Sequence, residues 1–160
     1  MTKTEGDFDM TTYRLETAPV RKLAGLSGHY DMTTNSQIPA LWQKFNRFDL
    51  PERPEPEVYY GVCYNNSDDG FHYLCGVEIA GDAGLAAEFT VLDVEAQTYA
   101  VFTHSGHISG IGATWGTIWH HHVPQSGLKV VKAPFYERYG PEFDPESGNG
   151  EVTIWVPVAA

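Results

Sequence analysis

The sequence predicts an α+β domain made of two pseudo-symmetric strand–helix–strand–strand repeats that share one interface. Three observations carry this reading. The same order of elements is legible twice along the 160 residues. The two amphipathic segments superpose at a constant offset of 73, with Ile38 on Ile111, Trp42 on Trp115 and Phe45 on Ile118. Each half offers one helix to cover three strands, so neither half buries its own apolar surface and the two must do so together. A cleft between pseudo-symmetric halves is a common place for a ligand.

The elements follow in order. Residues 1–11 are polar and acidic with no apolar run, which predicts a mobile tail rather than a signal peptide. A single domain is expected over 12–160, with repeat one at about 12–80 and repeat two at about 88–158. Residues 13–30 (YRLETAPVRKLAGLSGHY) read as a strand with an extension. In 35–48, Ile38, Leu41, Trp42 and Phe45 recur at helical spacing behind Asn35 or Ser36 as caps. The segments 58–65 and 72–79 flank the turn sequence NSDDG and read as a hairpin. Repeat two begins with a long strand at 88–106, and KLAGLS in the first opening strand resembles TYAVFT in the second. A helix is expected over 109–123, with Ser109 as cap and Ile111, Trp115, Ile118 and His122 on one face. Strands at 128–139 and 150–158 close the chain, joined by the Pro/Gly-rich GPEFDPESGNG.

Charge and motifs exclude several functions. Twenty-one acidic residues against ten basic ones give a net charge of −11, the wrong sign for a nucleic-acid footprint. No apolar run approaches membrane-spanning length, and a cytoplasmic protein is expected. Cys63 and Cys75 read as small buried thiols on paired strands, with a redox pair as the lesser reading. In the HHH run at 120–122 successive side chains point about 100° apart on a helix and cannot converge on one ion. The GIGATWG segment lacks the lysine and spacing of a phosphate loop. No metal and no cofactor are expected.

The stretch APFYERYGPEFDP raises the functional question. Phe135, Glu137 and Tyr139 share one face of a strand while Tyr136 and Arg138 share the other. Glutamate is depleted in strands. Either Glu137 is a solvated charge paired with a lysine or with Arg138, or its face lines a cavity.

This stretch, together with RKLAGLSG, ATWGTIWHH and GEVTIWVPV, resembles the GyrI-like effector-binding domains over roughly residues 12 to 158. Such domains occur at the C-terminus of some AraC-type and MerR-type regulators and also stand alone. The resemblance implies a curved antiparallel sheet with a concave ligand groove. It further implies binding of cationic amphipathic aromatic compounds, with an acidic residue deep in the groove. With no DNA-binding segment in sight, the chain looks like a standalone member, of the kind that includes integron-cassette cationic drug-binding proteins and the gyrase-inhibitory protein. Carried over by position, Glu137 is the groove glutamate, Tyr139 the tyrosine of the same strand and Trp115 the groove-lining helix tryptophan. Some members look like hydrolases that open the cyclopropane ring of DNA-alkylating natural products with such a glutamate and tyrosine.

Extending the 73 offset to the strands puts Tyr60, Val62 and Tyr64 on the face of Glu137. In the last strand, Val152, Ile154 and Val156 form an apolar stripe suited to packing under the helices, which turns Trp155 toward the groove. The expected lining is therefore Tyr60, Trp115, Phe135, Tyr139 and Trp155 around Glu137, with Glu78 as either a second carboxylate or a surface charge. Trp115 reads equally well as helix-face core. The leading expectation is a binding module for aromatic cations; a hydrolase and a gyrase-inhibitor-like protein with a regulator or gyrase as partner are the alternatives. One chain contains a whole groove, so a monomer or a weak dimer suffices. Burial is expected to raise the Glu137 pKa in the free protein.

Overall fold

The computed structural model describes residues 13–159 except 32, 48–57, 81–84, 86 and 145. The tail expected at 1–11 lies outside the described residues. The elements are β1 (Arg14–Ala18), β2 (Arg21–Tyr30), α1 (Ile38–Phe45), β3 (Tyr59–Ser67), β4 (Gly70–Glu78), β5 (Thr90–Val94), β6 (Gln97–His104), α2 (Ile111–Thr117), α3 (Val123–Ser126), β7 (Phe135–Tyr139) and β8 (Val152–Pro157). A single wide π-turn, Ile118–His122, joins α2 to α3. No helix among the described residues is long and apolar enough to cross a membrane.

The eight strands form one antiparallel sheet in the order β1–β6–β8–β7–β3–β4–β2–β5. Its centre is the β3–β7 seam, where the two repeats meet. At the edges the repeats exchange strands: β1 pairs with β6 of repeat two, and β5 pairs with β2 of repeat one. The shared interface expected from sequence is thus made of hydrogen bonds as well as side chains. One face of the sheet carries a buried cluster that draws on every strand, from Ala18 and Leu23 to Tyr60, Leu74, Val94, Tyr99, Tyr136 and Trp155. Residues from both edges meet in that cluster, so the sheet curves around it. The other face is divided. Helix α1 covers Leu26, Tyr73, Cys75 and Val77, while α2 and the π-turn cover Ala100, Phe102, Ile154 and Val156.

Register decides which residues share the seam. Directly opposed residues in an antiparallel pair project to the same face. Glu137 stands opposite Gly61 on one side and Ile154 on the other; the row continues to Cys75 and Leu26 one way and Phe102 the other. This is the helix-covered face, and the stripe Val152, Ile154 and Val156 packs there as expected. Tyr60 and Trp155 do not join it: Tyr60 opposes Arg138 and Trp155 opposes Tyr136. The expectation that they face the same groove as Glu137 is corrected here. Trp155 is turned away because Glu137, opposite Ile154, lies on the stripe's own helix-covered face. For Tyr60 the cause is the offset. The helices repeat at 73, but β2 and β3 recur as β6 and β7 at 76, from Arg21 to Gln97 and from Tyr59 to Phe135. An error of three residues is odd, and an odd slip sends every side chain to the other face.

Smaller differences have local causes. Asn35 and Ser36 lie in a 3₁₀ turn ahead of α1, and Asp31 Oδ1 accepts from the Thr33 and Thr34 amides at 2.8 and 3.1 Å. Ser109 does not cap α2; its own amide donates to His107 Nδ1 at 3.1 Å. The strand expected from 128 begins at Phe135, with Val130 making only an isolated bridge to Val158.

Candidate ligand-binding groove

Between α1 and α2 the β3–β7 seam carries Glu137. Both carboxylate oxygens are engaged by aromatic donors. Tyr139 Oη donates to Oε1 at 2.5 Å, and Trp115 Nε1 donates to Oε2 at 2.6 Å. Tyr139 lies two residues along the same strand, so alternation places it there; Trp115 reaches down from the middle of α2. The Phe135 ring meets Trp115 edge-on at 5.3 Å, and Trp119 stacks on Trp115 at 6.1 Å. On the other flank Tyr139 contacts Trp42 of α1 at 5.4 Å and Phe143 at 5.0 Å. Glu137, Tyr139, Trp115 and Phe135 are all half-buried.

Burial raises the Glu137 carboxyl above the ordinary glutamate range, and this outweighs the hydrogen bonds from Tyr139 and Trp115 and the nearby His104 ring, which pull it down. Burial, with the neighbouring Glu137 charge, holds the Tyr139 hydroxyl well above its usual value. Cys63 and Cys75 are free thiols on this face. Burial pushes both up, Cys75 to about 12, so neither is poised as a nucleophile.

A cavity of about 400 Å³ opens beside Tyr139. Trp42, Asn46, Tyr59, Ile108, Tyr139 and Phe143 line it, with the Gly140–Pro141 turn at its lip. Among the described residues the lining is largely aromatic and carries no charged side chain. Glu137 is not among these lining residues; Tyr139, which both lines the chamber and donates to Glu137, is the link between the carboxylate and the chamber.

Of the expected lining, Glu137, Tyr139, Trp115 and Phe135 come together. Tyr60, Trp155 and Glu78 belong to the opposite face. Arg21 Nη1 donates to Tyr60 Oη at 3.2 Å and to Glu78 Oε1 at 3.0 Å, so Glu78 is half of a surface ion pair. Trp155 stacks on Tyr136 at 5.4 Å and donates from Nε1 to Thr153 Oγ1 at 2.9 Å.

Sequence reasoning placed Trp42 in the core, and it missed Gly61 and Tyr73. Trp42 packs over repeat one and also walls the chamber. Gly61, beside Glu137, leaves room for the Tyr73 hydroxyl: a Cβ there would stand 2.1 Å from it. That hydroxyl accepts from Trp42 Nε1 at 2.9 Å. A glycine inside an aromatic strand is the available signal, since it marks a close approach by another group.

A family description, GyrI-like small molecule binding domain, matches residues 11–159. A transcriptional regulator of Pseudomonas aeruginosa, BrlR, is 27% identical over 148 residues, covering 91% of this chain and 54% of the regulator. The chain thus spans about half the length of that relative. Among solved structures, SAV2435 bound to tetraphenylphosphonium superposes with a TM-score of 0.76 at 23% identity, covering 93% of this chain and 94% of the other. An integron cassette protein from the mobile metagenome of Vibrio cholerae gives a TM-score of 0.71 at 19% identity, covering 92% and 95%.

Proposed function

The chain belongs to the GyrI-like small molecule binding domain family, and from that premise we propose that it binds amphipathic aromatic cations, with Glu137 neutralising the ligand charge. One observation carries the reading: a half-buried carboxylate held between Tyr139 and Trp115, with Tyr139 itself forming part of the wall of a largely aromatic chamber. The similarity to a protein bound to tetraphenylphosphonium supports it.

The magnitudes are adequate. A ring face attracts a desolvated cation by ~0.5–2 kcal/mol. A carboxylate about 4 Å from a positive charge contributes roughly 4 kcal/mol at an intermediate dielectric, before desolvation. Micromolar affinity needs about 8 kcal/mol net. The aromatic donors satisfy Glu137 in the free protein, which keeps the pole in place without a ligand.

The test is titration with rhodamine 6G, a fluorescent aromatic cation, on the protein and on Glu137→Gln. Saturable binding weakened at least ~30-fold in the variant is expected, about 2 kcal/mol for a buried charge pair. Equal affinity in both would remove Glu137 as the counter-ion.

The 2.5 Å bond between Tyr139 and Glu137 also supports a second reading, a hydrolase that opens strained rings. There Glu137 would take a proton from a water that bonds to a ring carbon, and as the ring carbon–carbon bond breaks Tyr139 would give a proton to the conjugated oxyanion that receives its electron pair. Both Glu137 oxygens are already engaged, so base work requires one donor to withdraw. Turnover of a cyclopropane-containing electrophile, lost in Tyr139→Phe, would favour this reading; a ligand recovered unchanged would count against it.

A further inference from the structure

The two halves of the groove are related by the repeat, and two of the positions where they differ decide the shape and charge of the groove. The strand offset makes Gly61 the counterpart of Glu137, and the two are direct neighbours across the seam. The helix offset that pairs Trp42 with Trp115 makes Asn46 the counterpart of Trp119.

Each difference has a physical consequence. In repeat two, Trp119 stacks on Trp115 and meets Phe135 edge-on at 5.8 Å, which occupies the space over those rings. In repeat one, Tyr59 stands where Phe135 stands in the other half, and Trp42 where Trp115 does. Asn46 is short and exposed, and the chamber opens there. The acceptor for the tryptophan N–H differs as well. Trp115 donates to a carboxylate, whereas Trp42 donates to the neutral Tyr73 hydroxyl that fills the space above Gly61. Repeat two supplies the charge; the room lies beside Trp42, Asn46 and Tyr59 of repeat one and is closed by Ile108, Tyr139 and Phe143 of repeat two.

We propose that the groove is a one-charge site for monocations that carry a flat aromatic arm, the cation toward Glu137 and the arm in the chamber beside Trp42 and Tyr59, and that Asn46 is the residue that sets the chamber's size and neutrality. The proposal rests on the reading of Glu137 as counter-ion. A second positive charge carried into the chamber would lose its hydration with no carboxylate among the described lining residues to replace it. A tryptophan at position 46 would fill the chamber as Trp119 fills its counterpart. An aspartate there, of nearly the same shape as asparagine, would supply the missing second charge.

Ethidium and propidium provide the test, because they share one flat phenanthridinium ring and propidium adds a quaternary ammonium. Both would be titrated by fluorescence into the protein, Asn46→Trp, Asn46→Asp and Glu137→Gln, with circular dichroism to show that each variant is folded. The protein should bind ethidium at least ~10-fold tighter than propidium. Asn46→Trp should weaken ethidium by a similar factor, and Asn46→Asp should narrow the gap by improving propidium. Propidium bound as tightly as ethidium would overturn the one-charge site. Undiminished ethidium binding by folded Asn46→Trp would overturn the chamber assignment. Ethidium that fails to bind, or binds equally to Glu137→Gln, would instead sink the counter-ion reading and this inference with it.

Discussion

Glu137 stands where a strand ordinarily carries a ring or a branched chain, and its surroundings raise its carboxyl above the ordinary range. The sign of the consequence follows. Between the ordinary glutamate pKa and the raised one, the folded protein holds a proton that the unfolded chain has released, so stability falls as pH rises through that window. Glu137→Gln removes this dependence. It should melt higher than the parent at pH 7, with the difference shrinking as the pH falls below the ordinary carboxylate range, as thermal unfolding at several pH values would read out. A difference that stayed constant with pH would mean the burial cost is not carried by ionisation. At Gly61, an alanine Cβ would meet the Tyr73 hydroxyl at 2.1 Å and Trp42 Cζ2 at 3.3 Å. Overpacking of this kind costs about 1–3 kcal/mol. Tyr73→Phe in the Gly61→Ala background should recover part of the loss, because the Tyr73 Cζ contact at 3.0 Å remains; denaturant titration of the single and double variants checks it. These residues show what the sequence could carry. Phe135, Glu137 and Tyr139 were legible because alternation within one strand needs no knowledge of its neighbours. Tyr60 was misplaced because facing between strands depends on register, and an inherited offset wrong by three reversed it; Trp155 was misplaced because alternation within the last strand does not say which of its two faces Glu137 shares.

The helices were legible as elements, since Ile38, Leu41, Trp42 and Phe45 repeat at the spacing of a buried face. The capping expectations failed: neither α1 nor α2 has a side-chain cap, and the polar side chains act earlier, Asp31 on the turn at Thr33–Thr34 and His107 on the 3₁₀ turn ahead of α2. The π-turn at Ile118–His122 was hidden too: the apolar spacing through Ile111, Trp115, Ile118 and His122 is equally that of an unbroken helix. The edge strands are the largest gap. Alternation runs through 13–30 and 88–106 almost without interruption, and nothing in either segment names its partner. The exchange makes a specific demand on stability. β1 pairs with β6 through five register positions, from Arg14 with Val101 to Ala18 with Gln97, although β6 belongs to repeat two. A variant lacking residues 1–18 should lose amide-exchange protection first along 97–101 and keep it in the β2–β4 ladder. Uniform loss would mean that the two halves open only together.

Across the whole molecule, the repeat supplies a pseudo-symmetric frame, and the proposed ligand site lies where the two halves differ. The frame was legible, as two repeats with one helix each cannot bury three strands apiece. The site was legible in its acidic pole and not in its chamber, because a space left by Asn46 opposite a filled Trp119 is a property of packing between elements. The central claim joins pole and chamber: a cation entering the groove replaces a proton on Glu137. Calorimetric titration with tetraphenylphosphonium, repeated in acid-range buffers of different ionisation heat, measures this exchange directly. The account predicts a heat that varies with the buffer, proton release on binding, affinity that falls as pH drops through the raised Glu137 pKa, and loss of the buffer dependence in Glu137→Gln. Binding with the same heat in every buffer and the same affinity in the variant would contradict it.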